Sequence, residues 1–164
     1  MGRMGSMRGA GLGALLAVAV AAVPMASGAE LTRDEYVARV EPICKANTEA
    51  NEKIFKGAKE EVKAKELKKA ATHFARATVA FQRTIKQLKA VPAPAADQAK
   101  LTKWIGYLEA ESSFLGKIGK ALAAEQKAQA QTYSVRLNRN SNLANNTVLG
   151  LGFDYCRIDP SRFS

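Results

Sequence analysis

Three residues in this chain are of types that commonly do chemistry: Cys44, Cys156 and the single histidine, His73. Any Cys/His or Ser/His catalytic arrangement would have to use His73 as its base. Zinc sites cluster several cysteines and histidines, and di-iron sites in helical bundles need paired Glu-x-x-His motifs, which one histidine cannot supply. The sequence therefore predicts no metal, no cofactor and no catalytic residue, and we interpret His73 as a partly exposed residue of a helix.

The carboxylates do not suggest a catalytic pair either. Glu109 and Glu111 are two positions apart on a predicted helix, where side chains at that spacing point in different directions. We therefore expect that the protein is not an enzyme.

The first 29 residues are typical of a signal peptide. Arg3 and Arg8 precede an apolar run over 12–23, and small residues precede a predicted cleavage after Ala29. The run is shorter than the roughly 20 residues that a bilayer span needs, although an uncleaved leader could anchor the chain weakly. Cleavage would remove the two arginines and lower the formal net charge from +10 to +8. We expect a secreted or periplasmic (cell-envelope) protein with no transmembrane span in the mature chain.

The remaining residues, 30–164, have the length of one domain and helical patterns throughout. Thr32 and Glu35 have the spacing of a capping box, and Pro42 predicts a kink or a restart in the first helix. No stretch alternates with the period of a strand. The sequence predicts an all-α fold with helices near 33–57, 64–90, 96–124 and 130–150.

Four helices of this length with short connections favour an up-down four-helix bundle. That topology returns the C-terminal tail to the end of the bundle where the first helix begins. Cys44 lies about three turns into that helix, and the tail carries Cys156. The positions favour an intramolecular disulfide over free thiols or a link between two chains.

Two segments carry a resemblance to a known group of proteins. The segments EYVARVEPICKAN and LGLGFDYC resemble the two ends of uncharacterised small exported bacterial helical-bundle proteins with paired end cysteines. The resemblance implies a four-helix bundle and offers no catalytic residue.

Basic residues concentrate on the second predicted helix. With Leu67 and Phe74 facing inward, one outward face collects seven cations. They are Lys65, Lys68, Lys69, Arg76, Arg83, Lys86 and Lys89. The face could bind an anionic surface such as lipid headgroups or an acidic wall polymer, or it could be an ordinary solvated helix face. Export and the absence of interleaved aromatic residues make nucleic acid a poor candidate partner.

Four polar residues occupy helical stripes that should be apolar: Asn47, Asn51, Glu111 and Ser112. Buried polar groups need partners, so these residues either bond one another or line a cavity for a small polar ligand. From the sequence we expect a non-enzymatic binding or structural module with an unidentified ligand. The alternative is a peripheral binder of anionic envelope surfaces through the basic face.

Overall fold

The computed structural model describes residues 30–158, so the predicted signal peptide and the last six residues of the predicted domain lie outside the described part. The described part is helical and contains no strand, which confirms the all-α class. Its helices are α1 (Arg33–Phe55), α2 (Ala58–Lys63), α3 (Leu67–Lys89), α4 (Gln98–Ala123) and α5 (Lys127–Thr147), with a 3-10 turn at Ala95–Asp97. None of these helices combines the length and the apolar character that a membrane span requires.

The start of α1 follows the sequence pattern closely. The Thr32 amide donates to the Glu35 carboxylate at 2.8 Å, and the Glu35 amide donates to the Thr32 hydroxyl at 3.3 Å, which together form a capping box. The helix continues through Pro42 to Phe55 without a restart.

The segment after α1 is a separate short helix rather than the end of a longer one. Gly57 has a φ of 87°, a left-handed conformation that glycine adopts without steric cost, and α2 begins directly after it. Lys65, with a φ of 62°, lies in the turn between α2 and α3. The described residues therefore contain five α-helices where the sequence predicted four.

The long helices pack in chain order. α3 lies against α1 and α4, and α4 lies against α5, while α2 packs on α3. Val40, Leu88, Trp104 and Val148 are almost fully buried between these helices. A second, smaller core around Ile118 connects α3, α4 and the start of α5.

The tail after α5 folds back over α1. Cys156 forms the predicted disulfide with Cys44, with the two Cα atoms 5.0 Å apart across a sequence separation of 112 residues. The Phe153 ring inserts between Tyr36 and Trp104, with ring centroids 6.5 Å and 5.3 Å away. The tail is therefore part of the core, and residues 155–158 line a cavity next to the disulfide.

Candidate functional site

Polar side chains from two helices meet inside the bundle. Asn47 and Asn51 lie one turn apart on α1, so they share a face, and Glu111 lies opposite on α4. Asn51 is 8% exposed and Glu111 is 7% exposed, whereas Asn47 is half-buried. The structure brings these three predicted residues to one place.

The three residues line two cavities that are partly open to solvent. The smaller cavity, of about 60 Å³, lies beside the disulfide and Trp104 and is lined by Asn47, Asn51 and Glu111. The larger cavity, of about 170 Å³, lies on the other side, beside α5. Its lining comprises Asn51, Phe55, Phe74, Glu111, Leu115, Leu137, Asn138, Ser141 and Ile158. Because both cavities share Asn51 and Glu111, these two side chains stand between them.

Some of the polar atoms at this site have partners and some do not. The Thr84 hydroxyl of α3 donates to Asn47 Oδ1 at 3.1 Å. Asn51 Oδ1 and Glu111 Oε2 are buried and have no hydrogen-bond partner. Unpartnered buried polar atoms are uncommon in folded proteins and carry a desolvation cost. Two such acceptors beside shared cavities indicate a place prepared for a hydrogen-bond donor.

The environment of Glu111 changes its protonation. Burial disfavours the charged carboxylate and raises the pKa of Glu111 to about 8. A hydrogen bond with Ser141 acts in the opposite direction and lowers this pKa by a smaller amount. The Ser141 hydroxyl opposes the shift because it can donate to the charged carboxylate; beside the neutral carboxyl group it donates to the Leu137 carbonyl at 3.1 Å. At neutral pH Glu111 is therefore largely a neutral carboxyl group.

Ser112 lies apart from the other three predicted residues. Neighbouring positions on a helix point about 100° apart, so the residue after Glu111 faces another direction. Ser112 is buried with an unpartnered hydroxyl and lines a groove on the α3 side with Lys86, Lys89 and Glu109. The predicted cluster is thus divided between two places.

The C-terminal tail borders both cavities and is fastened at several points. The Glu41 carboxylate accepts hydrogen bonds from three successive tail amides, those of Asp154, Tyr155 and Cys156, at 3.1, 2.8 and 3.1 Å. Asn145 of α5 forms two hydrogen bonds of 2.7 Å with the backbone of Ile158. Ile158 in turn lines both cavities, so these hydrogen bonds fix one part of their wall.

Three residues of the site were missed by the sequence analysis. Ser141 continues the four-three spacing of Leu137 and Ala144, so the periodicity of α5 could have identified it. Glu41 lies three positions before Cys44 and shares its face, which is a weaker signal. Thr84 directly precedes Ile85, which belongs to the apolar stripe of α3. The buried face of α3 is wider than this stripe and includes Thr84, which only the structure shows.

The seven predicted cations of the basic face are all exposed. Lys65 belongs to the turn between α2 and α3, and the other six lie on α3. Lys69 pairs with Glu66 at 2.8 Å. Two more cations pair with acids of the neighbouring α4 region, Lys89 with Glu109 at 2.9 Å and Lys68 with Glu125 at 3.9 Å. Among the described residues the other four have no acidic partner: Lys65, Arg76, Arg83 and Lys86.

His73 has a connecting position. Its Nδ1 contacts the Ile54 carbonyl at the end of α1, and its Nε2 lies 3.0 Å from a Glu61 carboxylate oxygen on α2. The histidine thereby links three helices. In the part of the chain from 30 to 158, no group of three or more His, Cys, Asp or Glu side chains is arranged to hold a metal ion.

Comparisons with protein-family models, curated proteins and solved structures gave no match to this chain.

Proposed function

We propose that this protein is a non-enzymatic binding module whose ligand is a small polar molecule held in the cavities around Asn51 and Glu111. The observation that carries the proposal is the pair of unpartnered buried acceptors, Asn51 Oδ1 and Glu111 Oε2, which line both cavities. A solid structural core would fill this space with apolar side chains or pair the polar atoms with one another. A concave, mostly apolar cavity with a few convergent polar groups is the usual form of a ligand site.

The tail supports a role in retention of the ligand. Glu41, Asn145 and the disulfide hold it over the cavities through contacts separated by several residues. Both cavities are partly open to solvent, so the tail would cover a bound ligand on one side only. We expect this cover to slow release enough for the ligand to survive purification.

We further propose that the protein acts outside the cytoplasm, as a secreted or cell-envelope protein. The signal-peptide pattern of residues 1–29 supports this, and the disulfide is compatible with an oxidising compartment. We also propose that the four long helices alternate up and down, as the short connections and the packing of consecutive helices favour, with α2 as an extra turn between α1 and α3.

The binding function is tested by mass spectrometry of the protein purified from its native exported source. We expect a larger mass under native than under denaturing conditions, with release of a stoichiometric small molecule. Asn51→Leu, which replaces an unpartnered acceptor by an apolar branch, should fold and lose that molecule. The exposed Asn142→Leu on α5 should retain it. A native protein without bound molecule, or equal loading of Asn51→Leu, would contradict the proposal.

A second candidate function is binding to an anionic envelope surface through the basic face. The favouring observation is that Arg76 and Arg83, seven positions apart on α3, are exposed without acidic partners among the described residues. Two exposed arginines aligned on one helix face can contact phosphate groups at the same time.

Vesicles of phosphatidylglycerol and phosphatidylcholine test this candidate. Changing Lys68, Lys69, Arg76 and Arg83 to Gln should weaken binding, and added salt should do the same. The matched control removes the same charge elsewhere, at the exposed residues Lys53, Lys100, Arg136 and Arg139. Equal loss in both variants would show an effect of net charge alone and would contradict a role of the basic face.

A further inference from the structure

Three hydrogen-bond acceptors line the larger cavity. Asn51 Oδ1 and Glu111 Oε2 are buried without partners, and Ser141 Oγ, which donates to the Leu137 carbonyl, keeps its lone pairs for an incoming donor. The three come from α1, α4 and α5, so they surround the cavity from different helices. Although the amide groups of Asn51 and Asn138 also offer donors, the three acceptors favour a ligand that is rich in donors.

The larger cavity has an acidic residue in its lining and no basic one, although the whole chain is basic. Glu111 is the one ionisable side chain among the described residues that line it, and no Lys, Arg or His is among them. A buried carboxylate without a positive partner is costly, and a proton supplies the cheapest neutralisation in the empty protein. A bound cation would supply the same neutralisation, whereas an anion would meet a carboxyl group with no compensating positive charge.

We propose that the larger cavity binds a small primary ammonium compound, whose three N–H donors reach Glu111, Asn51 and Ser141. This inference rests on the proposed binding function and names the chemical class of its ligand. An ammonium group has three donors and no acceptor, which matches a site made of three acceptors. The Glu111 carboxylate then forms a buried ion pair that is fully hydrogen-bonded, which is the condition under which such pairs are favourable.

The rest of the cavity determines the body of the ligand. Phe55 and Phe74 form an edge-to-face pair with ring centroids 5.0 Å apart, and Leu115 and Leu137 complete an apolar wall. A volume of about 170 Å³ is close to that of cavities that accept benzene, roughly 150 Å³. The ligand should therefore carry a short apolar chain or a single ring of about six heavy atoms.

Binding should exchange one proton for one cation. The protonated Glu111 loses its proton to solvent, the carboxylate pairs with the ammonium ion, and the charge of the complex equals that of the empty protein. The described residues that line the larger cavity from α1, α3 and α5 contain no other titratable or charged group. The smaller cavity, which shares Glu111, adds Tyr155 and the exposed Arg157 of the tail. Glu111 is therefore the group whose proton is released.

The experiment measures binding of n-butylamine to the intact protein by calorimetry between pH 6 and pH 9, with 1-butanol and butyrate as neutral and anionic counterparts. Primary amines of this kind stay protonated below about pH 10. We expect butylamine to bind best and its affinity to rise about tenfold per pH unit below pH 8, then to level off. The binding enthalpy should vary with the ionisation enthalpy of the buffer. At pH 6.5 the slope of this dependence should correspond to the release of nearly one proton per bound butylamine.

Glu111→Gln is the decisive variant. It has the shape and neutrality of protonated Glu111, so it should fold, and it should bind butylamine at least about tenfold more weakly with no pH dependence. Glu109→Gln on the same helix, which is exposed and paired with Lys89, is the matched control and should bind as the wild type does. Equal binding by Glu111→Gln, or a flat pH profile of the wild type, overturns the inference.

The counterparts separate this inference from the proposed function. If 1-butanol or butyrate binds in the cavity and butylamine does not, the ammonium ligand is wrong while a small-molecule site remains. If none of the three binds and the native protein carries no bound molecule, both the inference and the proposed function fail.

Discussion

At the scale of single residues, Glu111 connects binding with stability. Its carboxyl group is buried among apolar side chains, and the fold tolerates it by keeping it protonated at neutral pH. The same residue that offers a charge to a ligand is therefore neutral until a cation or a higher pH removes its proton. This gives the empty protein a measurable dependence of stability on pH.

We predict that the free energy of unfolding decreases as the pH rises toward 8. The pKa of Glu111 is about 8 in the folded protein against 4.5 for an ordinary Glu, so between these values the folded state holds a proton that the unfolded state has lost. The stabilising contribution is complete below pH 4.5 and is lost as the pH rises through 8, by at most about 1.4 kcal/mol per unit.

The measurement is urea unfolding of the wild type and Glu111→Gln at several values between pH 5 and pH 9. The difference in unfolding free energy between the two proteins isolates Glu111, because all other groups titrate in both. That difference should shift in favour of the Gln variant as the pH rises to about 8 and then level off. A constant difference across the range would mean that Glu111 is already charged in the folded protein.

Residues of the site were predictable where the helical periodicity places a polar residue on an inward stripe. Asn47, Asn51 and Glu111 were found this way, since a polar residue at a position that packing requires to be buried is visible in the sequence. Ser112 was assigned to the same cluster but lies elsewhere. The sequence pattern did not show which of the neighbouring positions 111 and 112 faces the cavities. The role of Glu41 could not be predicted, because it depends on the path of the tail over α1, and no local sequence pattern indicates that path.

At the scale of elements, the glycines of α4 show how close two helices can pack. A Cβ atom on Gly119 would lie 3.1 Å from Phe74 Cβ of α3 and 3.5 Å from the Ala71 carbonyl oxygen, whereas a Cβ atom on Gly106 would meet nothing within 4 Å. Gly119 is therefore needed for contact between α3 and α4. Gly106 only carries the conformational cost of glycine in a helix.

We predict opposite effects of the same substitution at these two positions. Gly106→Ala should raise the free energy of unfolding by up to about 1 kcal/mol, because alanine restricts the unfolded chain and favours helix. Gly119→Ala should lower it by about 1 to 3 kcal/mol, because Phe74 Cβ belongs to a helix and cannot easily move away. Thermal and urea unfolding of the two variants measure both effects. Stabilisation by both would show that α3 and α4 can separate without loss.

Helix boundaries were less predictable than helix interiors. The capping box identified the start of α1, and the apolar seam identified α3, because both signals are local. The turns before α3 and α5 use Lys65 and Glu125 with φ values of 62° and 59°, conformations in which glycine is the usual residue. Without a glycine at these turns, α3 was predicted to begin near 64, three residues early, and α5 near 130, three residues late.

At the scale of the whole molecule, the tail completes the fold. α1 packs on α3 and α4 packs on α5, while residues 151–158 run back over α1 with Phe153 in the core. The disulfide, the Glu41 carboxylate and Asn145 fasten this tail at separate points. The disulfide therefore closes nearly the whole described chain into one loop, and the noncovalent contacts position the tail within it.

We predict that replacing Cys44 and Cys156 together by Ser lowers the free energy of unfolding by about 2 to 5 kcal/mol. The loop spans 112 residues, and a crosslink over such a length restricts the unfolded chain strongly, while the two hydroxyl groups are poorly suited to a buried site. The helical circular dichroism signal should persist under native conditions, because Glu41 and Asn145 still hold the tail. Urea unfolding of the variant, and of reduced wild-type protein as a matched control, measures the effect. Similar losses in both are expected from the missing crosslink, whereas unchanged stability of the reduced wild type would show that the noncovalent contacts alone hold the two ends together.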